Sequence, residues 1–302
     1  MRSVRNWVAA FVGGSLGACS AEAPEPTTAN AEATPREETE RGEGDAIPIR
    51  SATEPRPCGS AHGASCVVGR ACGGDADCAS GLCGRRGPNA GTCVSARSCT
   101  GAPGADRRCA NGDDCCASTR VPAGLLEEPG GATAIAPFRL DAFEITVGRM
   151  RAYYTDIGAD PATIEAQMID ACARDGHAPT WTATPGDDED KPANCLDAIT
   201  AAAFCAWDGG RLPTDAEWSW VAASGQELRV FPWGDEPSAV LERVGSQPGR
   251  SRWGHADIGS SVRELVSGAN PEEAIVRGGE EREHVSMFDR STAMGARCAR
   301  DR

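Results

Sequence analysis

The sequence is short of basic residues and has no apolar run suited to spanning a membrane. Its 302 residues, enough for one or two domains, contain 30 lysines and arginines against 44 aspartates and glutamates, a net charge of −14. The mostly apolar stretch at Trp7–Ala18 is shorter than the roughly 20 residues that a spanning helix needs. Nucleic acids and anionic lipids attract basic surfaces. The composition therefore argues against nucleic acid as a partner.

Residues 1–18 have the build of an export signal, with arginines near the start and an apolar region after them. The stretch Leu16–Cys19 resembles a bacterial lipobox, in which the cysteine becomes lipid-modified and is the first mature residue. The alternative is an ordinary secretory signal with an incidental cysteine. Ser20 after the cysteine fits delivery to the outer membrane of a Gram-negative cell. We therefore expect a cell-envelope protein held at the membrane by a lipid on Cys19.

Residues 19–57 lack aromatic side chains, and beyond Cys19 they lack cysteine. Alanine, glutamate, proline, threonine, arginine and glycine make up most of this stretch. Such a composition cannot bury enough apolar surface to offset the entropy of ordering the chain. We expect a disordered tether.

Residues 58–116 have almost no large apolar side chains and contain no C-x-x-C pair, and His62 is their only histidine. Zinc is the competing interpretation of the cysteines, but these absences favour disulfides and an oxidising compartment. A bridge between the adjacent Cys115 and Cys116 would strain the backbone, so each should pair elsewhere. The ten cysteines of this disulfide-rich module are Cys58, Cys66, Cys72, Cys78, Cys83, Cys93, Cys99, Cys109, Cys115 and Cys116.

The main domain, residues 117–302, is organised around two short predicted helices. The first runs from about Asp197 to Trp207, with an apolar repeat at Ile199, Ala202, Ala203 and Ala206. Two glycines and a proline then end it. Thr214 and Glu217 have capping-box spacing at the start of the second helix. We interpret Trp218 and Trp233 as core side chains and Glu217 as a capping or buried partner.

Other patterns in this domain predict a mixed fold. Phe138–Phe143 reads as a strand, and Thr146 can cap a helix that reaches about Tyr154. A second helix is predicted at Asp160–Arg174, with proline in its first turn. The acidic run Asp187–Asp190 is typical of a solvated loop, with a calcium site as the alternative.

The stretch Gly210–Trp218, followed by F-P-W-G at 231–234, resembles the sulfatase-modifying-factor family, the formylglycine-generating-enzyme-like domain. The resemblance covers about Val121 to the end of the sequence. It implies an α+β, C-type-lectin-related fold with modest regular secondary structure. Four further stretches carry the likeness in order: Phe138–Thr146, Gly254–Leu265, Val276–Gly279 and Gly295–Arg300.

The cysteines that the resemblance would make catalytic are missing. In oxidising members of the family, two cysteines between "R-G-G" and the terminal "G-F-R-C" bind Cu(I) and drive oxidation of a substrate cysteine. The corresponding interval, Glu280–Arg297, contains no cysteine, which argues against copper. Iron-dependent relatives use a histidine-rich triad. The four histidines here, His62, His177, His255 and His284, lack that spacing.

The resemblance also implies a possible calcium site, in a weakened form. The family segment "G-N-V-W-E-W" supplies calcium ligands through its asparagine, backbone carbonyls and glutamate. Here Ser260 and Ser261 stand for the Gly-Asn pair, while Glu264 is kept. Hydroxyl is a poorer calcium ligand than amide carbonyl, so Glu264 and Ser261 are candidates for a residual site only.

Four cysteines belong to the main domain, and sequence alone allows three pairings. In the family, the cysteine before "W-x-G-x-R-L-P" is bridged to the terminal "G-F-R-C" cysteine. The resemblance therefore implies Cys205–Cys298, which leaves Cys172 to pair with Cys195.

Together these features favour an exported, lipid-anchored surface protein whose family-like domain serves binding or structural roles with a protein or glycan ligand. The first alternative is a divergent formylglycine-generating-type oxidase acting on a protein cysteine. A second alternative is calcium-dependent carbohydrate binding. From residue 19 onward, no G-x-S-x-G nucleophile motif supports hydrolytic chemistry.

Overall fold

The structure is a computed structural model, and it describes residues 58–63, 65–84, 89–100, 109–128, 131–172, 178–227, 243–247, 249–268, 273–278 and 281–301. The expected export signal, the lipidation at Cys19, the tether and the motif at 231–234 lie outside these residues. Within them, no helix is long and apolar enough to cross a bilayer.

Five disulfides hold the module at residues 58–116, and each closes within it. The chain between them forms isolated bridges and single turns of 3-10 helix, so covalent links replace an apolar core. Cys115 and Cys116 take different partners, as their adjacency predicts. The pairs are Cys58–Cys66, Cys72–Cys83, Cys78–Cys93, Cys99–Cys116 and Cys109–Cys115.

The first sheet begins directly after the module. Strand β4 (Phe138–Asp141) lies between β1 (Ser118–Val121) and the short C-terminal strand β9 (Ala299–Arg300), and both pairings are antiparallel. Strands β2 (Gly124–Glu128) and β3 (Gly131–Ile135) form a separate antiparallel hairpin. The predicted strand at 138–143 is therefore present, although it ends two residues early.

The second sheet has four strands in the order β7-β6-β5-β8. Strand β5 (Arg263–Ser267) pairs antiparallel with β6 (Glu273–Gly278), and β6 pairs antiparallel with β7 (Glu281–Ser286). Strand β8 (Met294–Gly295) joins β5 in parallel. The sheet thus brings the segment that carries Glu264 beside the segment that leads to Cys298.

The described part of the main domain also has four α-helices: α1 (Val147–Asp156), α2 (Pro161–Cys172), α3 (Ala198–Trp207) and α4 (Asp215–Ala222). All four were predicted from sequence, and the α+β class is confirmed. The predicted capping box is present, since Thr214 Oγ1 accepts from the amide of Glu217 and the Glu217 carboxylate accepts from the amide of Thr214. The side chains of Thr146 and Asp197 cap α1 and α3 by accepting from the amides of Arg149 and Thr200, without a reciprocal bond.

The apolar repeat predicted for α3, at Ile199, Ala202, Ala203 and Ala206, does not form the buried face of the helix. Ile199 is exposed, whereas the buried face carries Ala201, Phe204 and Cys205. Alanine fits either a core or a surface, so an alanine repeat fixes no face. Burial of the Phe204 ring and the disulfide at Cys205 set the rotation of this helix instead.

Candidate functional site

The interval that would carry the family's catalytic cysteines forms strand β7, a turn and strand β8. At the turn, the Phe288 ring is 74% exposed, and Met287 beside it packs partly against the main core. No thiol is available here, because the interval contains no cysteine. The segment thus presents an apolar edge where a redox centre would stand.

An apolar groove of about 320 Å³ lies beside this turn. Met287 lines it together with the exposed side of α3, including Ala202 and Ala206. Arg211 and Glu273 are its charged lining residues. The Ser267 hydroxyl, which also lines the groove, donates to the Pro213 carbonyl at 3.2 Å. The groove is therefore mainly an apolar contact surface.

Both cysteine pairs of the main domain are present as disulfides. Cys205 of α3 is bridged to Cys298, directly before β9, with an S–S distance of 2.02 Å. Cys172 at the end of α2 is bridged to Cys195. All four residues are fully buried. With the module's five pairs, every cysteine from Cys58 to Cys298 is in a disulfide, so none is held as a thiolate for Cu(I).

The carboxylate of Glu264 is buried and already holds a cation. Its Oε1 and Oε2 accept hydrogen bonds from Nη2 and Nε of Arg297, both at 2.7 Å. The indole Nε1 of Trp218 donates to Oε2 at 2.9 Å. This bidentate pair is a strong form of charge-assisted hydrogen bonding. Glu264 therefore acts here as the counter-ion of Arg297.

Ser261 lies against a different carboxylate. Its hydroxyl donates to Oε1 of the buried Glu144, whose Oε2 has no hydrogen-bond partner among the described residues. Burial raises the pKa of Glu144 well above its usual value, and the negative charge of Asp257 raises it further. Since Glu264 is engaged by Arg297 and Ser261 by Glu144, these residues do not fit a calcium ion shared between them.

Two of the four histidines have environments that bear on metal binding. His255 is fully buried, with Nε2 2.7 Å from Thr119 Oγ1 and Nδ1 2.9 Å from Ser251 Oγ. Burial, aided by the positive charge of Arg297, lowers its pKa to about 3. His284 is exposed on β7, 3.7 Å from the Glu273 carboxylate. Both ring nitrogens of His255 are used in hydrogen bonds, so it is a core histidine.

Sequence reasoning missed a buried network of two arginines and two aspartates. Arg149 lies 2.9 Å from Asp141 and 2.7 Å from Asp208, and Arg300 pairs with the same two carboxylates. The two positive and two negative charges balance, which is what makes their burial tolerable. The only sign of this network in the sequence is that its arginines and aspartates are polar residues scattered among apolar ones.

The disulfide-rich module contributes to this network through Ser98. Its amide donates to Asp208 Oδ1 at 2.7 Å, and its hydroxyl accepts from Arg149 Nε at 2.9 Å. Nearby, Cys109 and Cys115 pack in one apolar cluster with Phe143. The module therefore contributes Ser98, Cys109 and Cys115 to the interior of the main domain.

The acidic run at 187–190 was predicted to be a solvated loop, and this prediction is wrong for half of it. Asp187 is exposed, but Glu189 and Asp190 are buried. Arg151 of α1 donates to both oxygens of Glu189, and Arg243 pairs with Asp190. The prediction of a solvated loop fails in this half, because partners far away in sequence supply the compensating charges.

A family model and several curated proteins match parts of this sequence. The family described as "Sulfatase-modifying factor enzyme 1-like domain" matches residues 115–271. The chain is 26% identical over 137 residues to the bovine (Bos taurus) formylglycine-generating enzyme, covering 36% of this chain and 37% of that one. It is 30% identical over 144 residues to hercynine oxygenase of Mycolicibacterium smegmatis, covering 41% and 33%.

Two further similarities are shorter or more distant. A bovine (Bos taurus) protein named inactive C-alpha-formylglycine-generating enzyme 2 is 50% identical over 36 residues, 12% of each chain. Among solved structures, PvdO from Pseudomonas aeruginosa aligns over 61% of this chain and 94% of its own, at 19% identity and a TM-score of 0.47. The first two curated relatives above are matched over only about a third of their length.

Proposed function

Since this chain belongs to the sulfatase-modifying factor enzyme 1-like family, we propose that it uses the family's domain as a binding or structural component without generating formylglycine. The observation that carries the proposal is the state of the cysteines. The interval Glu280–Arg297 has none, and all fourteen from Cys58 to Cys298 are joined in seven disulfides. Copper-dependent oxidation needs thiolate ligands.

Family membership alone does not decide whether this protein is an enzyme. The relatives named above include enzymes and a protein whose name marks it as inactive. A fold supports many functions, so activity must be argued from the site itself. Here the site offers an apolar turn with an exposed Phe288 ring, and a buried glutamate that is neutralised by Arg297.

The same proposal places the protein in the cell envelope, anchored by a lipid on Cys19 to the outer membrane of a Gram-negative bacterium. Its support is the signal-like start with its lipobox-like stretch and the seven disulfides, which form in oxidising compartments. The tether would hold the folded part away from the membrane, where it can meet a protein or glycan partner.

Peptide mapping without reduction tests the chemical part of the proposal. Protein purified from its native envelope is alkylated, digested and analysed by mass spectrometry. We expect a peptide that contains Cys205 joined to Cys298 and no alkylated thiol. A free, alkylated Cys205 or Cys298 would contradict the proposal, and copper content and oxygen consumption on cysteine peptides would then test the oxidase alternative.

Metabolic labelling with an alkyne fatty acid tests the anchor. We expect the wild-type protein to carry the label in the outer-membrane fraction, and Cys19→Ser to lose both the label and the membrane association. Cys19→Ser leaves the disulfides unchanged and therefore serves as its own folding control. An unlabelled wild-type protein would overturn the lipid anchor and leave the binding proposal standing.

A further inference from the structure

Three arginines stand side by side across the first sheet. The register pairs Arg120 of β1 with Arg139 of β4, and Arg139 with Arg300 of β9. Directly opposed residues of antiparallel strands point to the same face of a sheet. The three side chains therefore form one row, which becomes more buried from Arg120, which is exposed, to Arg300.

The row is not evenly neutralised. Arg300 pairs with Asp141 and Asp208. Among the described residues, the Arg139 guanidinium donates to Ser118 alone, to its hydroxyl and to its backbone carbonyl. No carboxylate lies within salt-bridge distance of Arg139 or Arg120 in the part of the chain that the structure describes. Burial lowers the pKa of Arg139, and the positive charge of Arg300 lowers it further.

A cleft of about 510 Å³ lies at this row, between the disulfide-rich module and the main domain. Arg139 and Arg300 line its main-domain side, and Val67, Val68 and Leu82 line its module side. Val67 and Val68 are 65% and 40% exposed, although both are aliphatic. One wall of the cleft thus carries positive charge, and the opposite wall is apolar.

We propose that this cleft binds a small aliphatic carboxylate, with the carboxylate on the Arg139 guanidinium and the hydrocarbon against Val67, Val68 and Leu82. The planar guanidinium fork matches a carboxylate through two parallel hydrogen bonds. The hydrocarbon gains free energy by leaving water for the module's valines. The volume is in the range typical of small-molecule sites, roughly 300–1,000 Å³.

The charges around the cleft favour an anion over a cation. Among the described residues that line it, Asp301 carries the carboxylate, and this accepts two hydrogen bonds from Arg211. Arg139 keeps its positive charge at any physiological pH. A partly buried cation with no carboxylate within salt-bridge distance is costly, and a bound carboxylate would reduce that cost.

This inference gives a ligand class to the binding role and rests on that proposed role. It does not depend on the lipid anchor. Because the module supplies one wall and the main domain the other, it also gives the contact between them a function beyond stability.

Titration with matched small probes, monitored by protein-observed NMR, tests the proposal. Two samples are used: the protein from Cys58 onward, and the complete chain in detergent. The probes are 4-methylpentanoate, its neutral amide 4-methylpentanamide, and acetate. We expect saturable binding of 4-methylpentanoate in both samples, weakened by salt because the contact is ionic. The amide lacks the charge and acetate lacks the hydrocarbon, so both should bind at least about tenfold more weakly.

Variants assign the binding to the cleft. Arg139→Gln should abolish 4-methylpentanoate binding, and Arg139→Lys should keep only part of it. Val67→Ser, at an exposed position, should weaken binding without affecting folding. Arg120→Gln, in the same row but outside the cleft lining, is the matched control and should change affinity by less than about twofold.

Equal binding of the acid and the amide, or binding unaffected by both Arg139→Gln and Val67→Ser, would overturn the proposal. The absence of saturable binding by the wild-type protein would do the same. Either failure would leave the cysteine mapping unchanged. An alkylated thiol in that mapping would instead defeat the proposed non-catalytic role without affecting this titration.

Discussion

The guanidinium of Arg149 and the carboxylate of Asp208 lie 2.7 Å apart, and neither side chain has any exposed surface. Asp208 caps the C-terminal end of α3, and Arg149 lies in the first turn of α1. The other oxygen of Asp208 accepts from the amide of Ser98 in the disulfide-rich module. One carboxylate therefore connects two helices and the module.

Asp208→Asn should strongly destabilise the protein. The amide keeps the shape of the side chain but leaves Arg149 and Arg300 with one counter-ion, Asp141. Removing one partner of a buried ion pair typically costs about 3–5 kcal/mol. Urea unfolding measures this loss, with Asp188→Asn as the matched control. Asp188 pairs with Lys191 at the surface, so Asp188→Asn should lower the free energy of unfolding by less than about 1 kcal/mol. Equal effects of the two changes would contradict the structural role of Asp208.

Removing the Cys205–Cys298 bridge with paired alanines should cost more stability than removing Cys58–Cys66. The bridged residues are 93 apart in sequence in the first case and 8 apart in the second. The chain-entropy account predicts a difference of about 2 kcal/mol from loop length alone. Denaturant unfolding of the two double variants tests it. Equal losses would show that loop closure does not dominate.

Glu144→Gln should stabilise the protein at pH 7. The pKa of Glu144 is raised in the folded state by burial, then by Asp257. A raised carboxyl pKa means that stability is lost as the pH rises above about 4.5, where the unfolded chain ionises. Glutamine cannot ionise, so the gain should be present at pH 7 and vanish near pH 4.

Glu264→Gln is the contrasting control for that experiment. It removes the counter-ion of the buried Arg297 and should destabilise by about 3–5 kcal/mol at pH 7. A gain in stability in Glu144→Gln and a loss in Glu264→Gln would show that the first carboxyl lacks a charged partner and the second has one. If both variants lose stability, Glu144 is not the uncompensated group that the structure indicates.

The buried His255 should make the protein sensitive to mild acid. Its folded pKa is lowered to about 3, first by burial and then by Arg297. The unfolded chain takes up this proton near pH 6.5 and the folded chain does not, so stability is full above pH 6.5 and declines toward pH 3. The loss at pH 5 should be about 2 kcal/mol. Free energies of unfolding at pH 7, 6 and 5 measure it.

His255→Gln should flatten that pH dependence, whereas His284→Gln, at an exposed position, should leave it unchanged. Glu144 titrates with the opposite sign, so the comparison is best repeated in the Glu144→Gln background. An unchanged slope in His255→Gln would show that this histidine does not carry the acid sensitivity.

Local signals in the sequence were sufficient to predict the helices and their starts. Thr146, Asp197 and Thr214 each cap the helix that follows, because a short side chain can satisfy a free amide within three residues. The face of α3 was missed because the interactions that set it, through Phe204 and Cys205, are long-range. A repeat of small residues cannot specify which side faces the core.

The candidate site was less accessible to sequence reasoning. Glu264 and Ser261 were chosen for a shared metal, yet one pairs with Arg297 and the other with Glu144. The partners are 33 and 117 residues away. Pairing of buried charges depends on which strands become neighbours, and no local spacing shows this. The arginine row likewise appears only when β1, β4 and β9 are placed in register.

The bridge between Cys205 and Cys298 has a consequence for the order of events during biosynthesis. Ribosomes add about 5–20 residues per second, so the 93 residues between the two cysteines take roughly 5 to 20 seconds. Throughout that interval Cys205 is a thiol without its partner. The twelve cysteines of the other six bridges have already been made. The partner of Cys205 is thus the last cysteine to be made, and strand β9, which follows it directly, can close the first sheet only after every other cysteine is present.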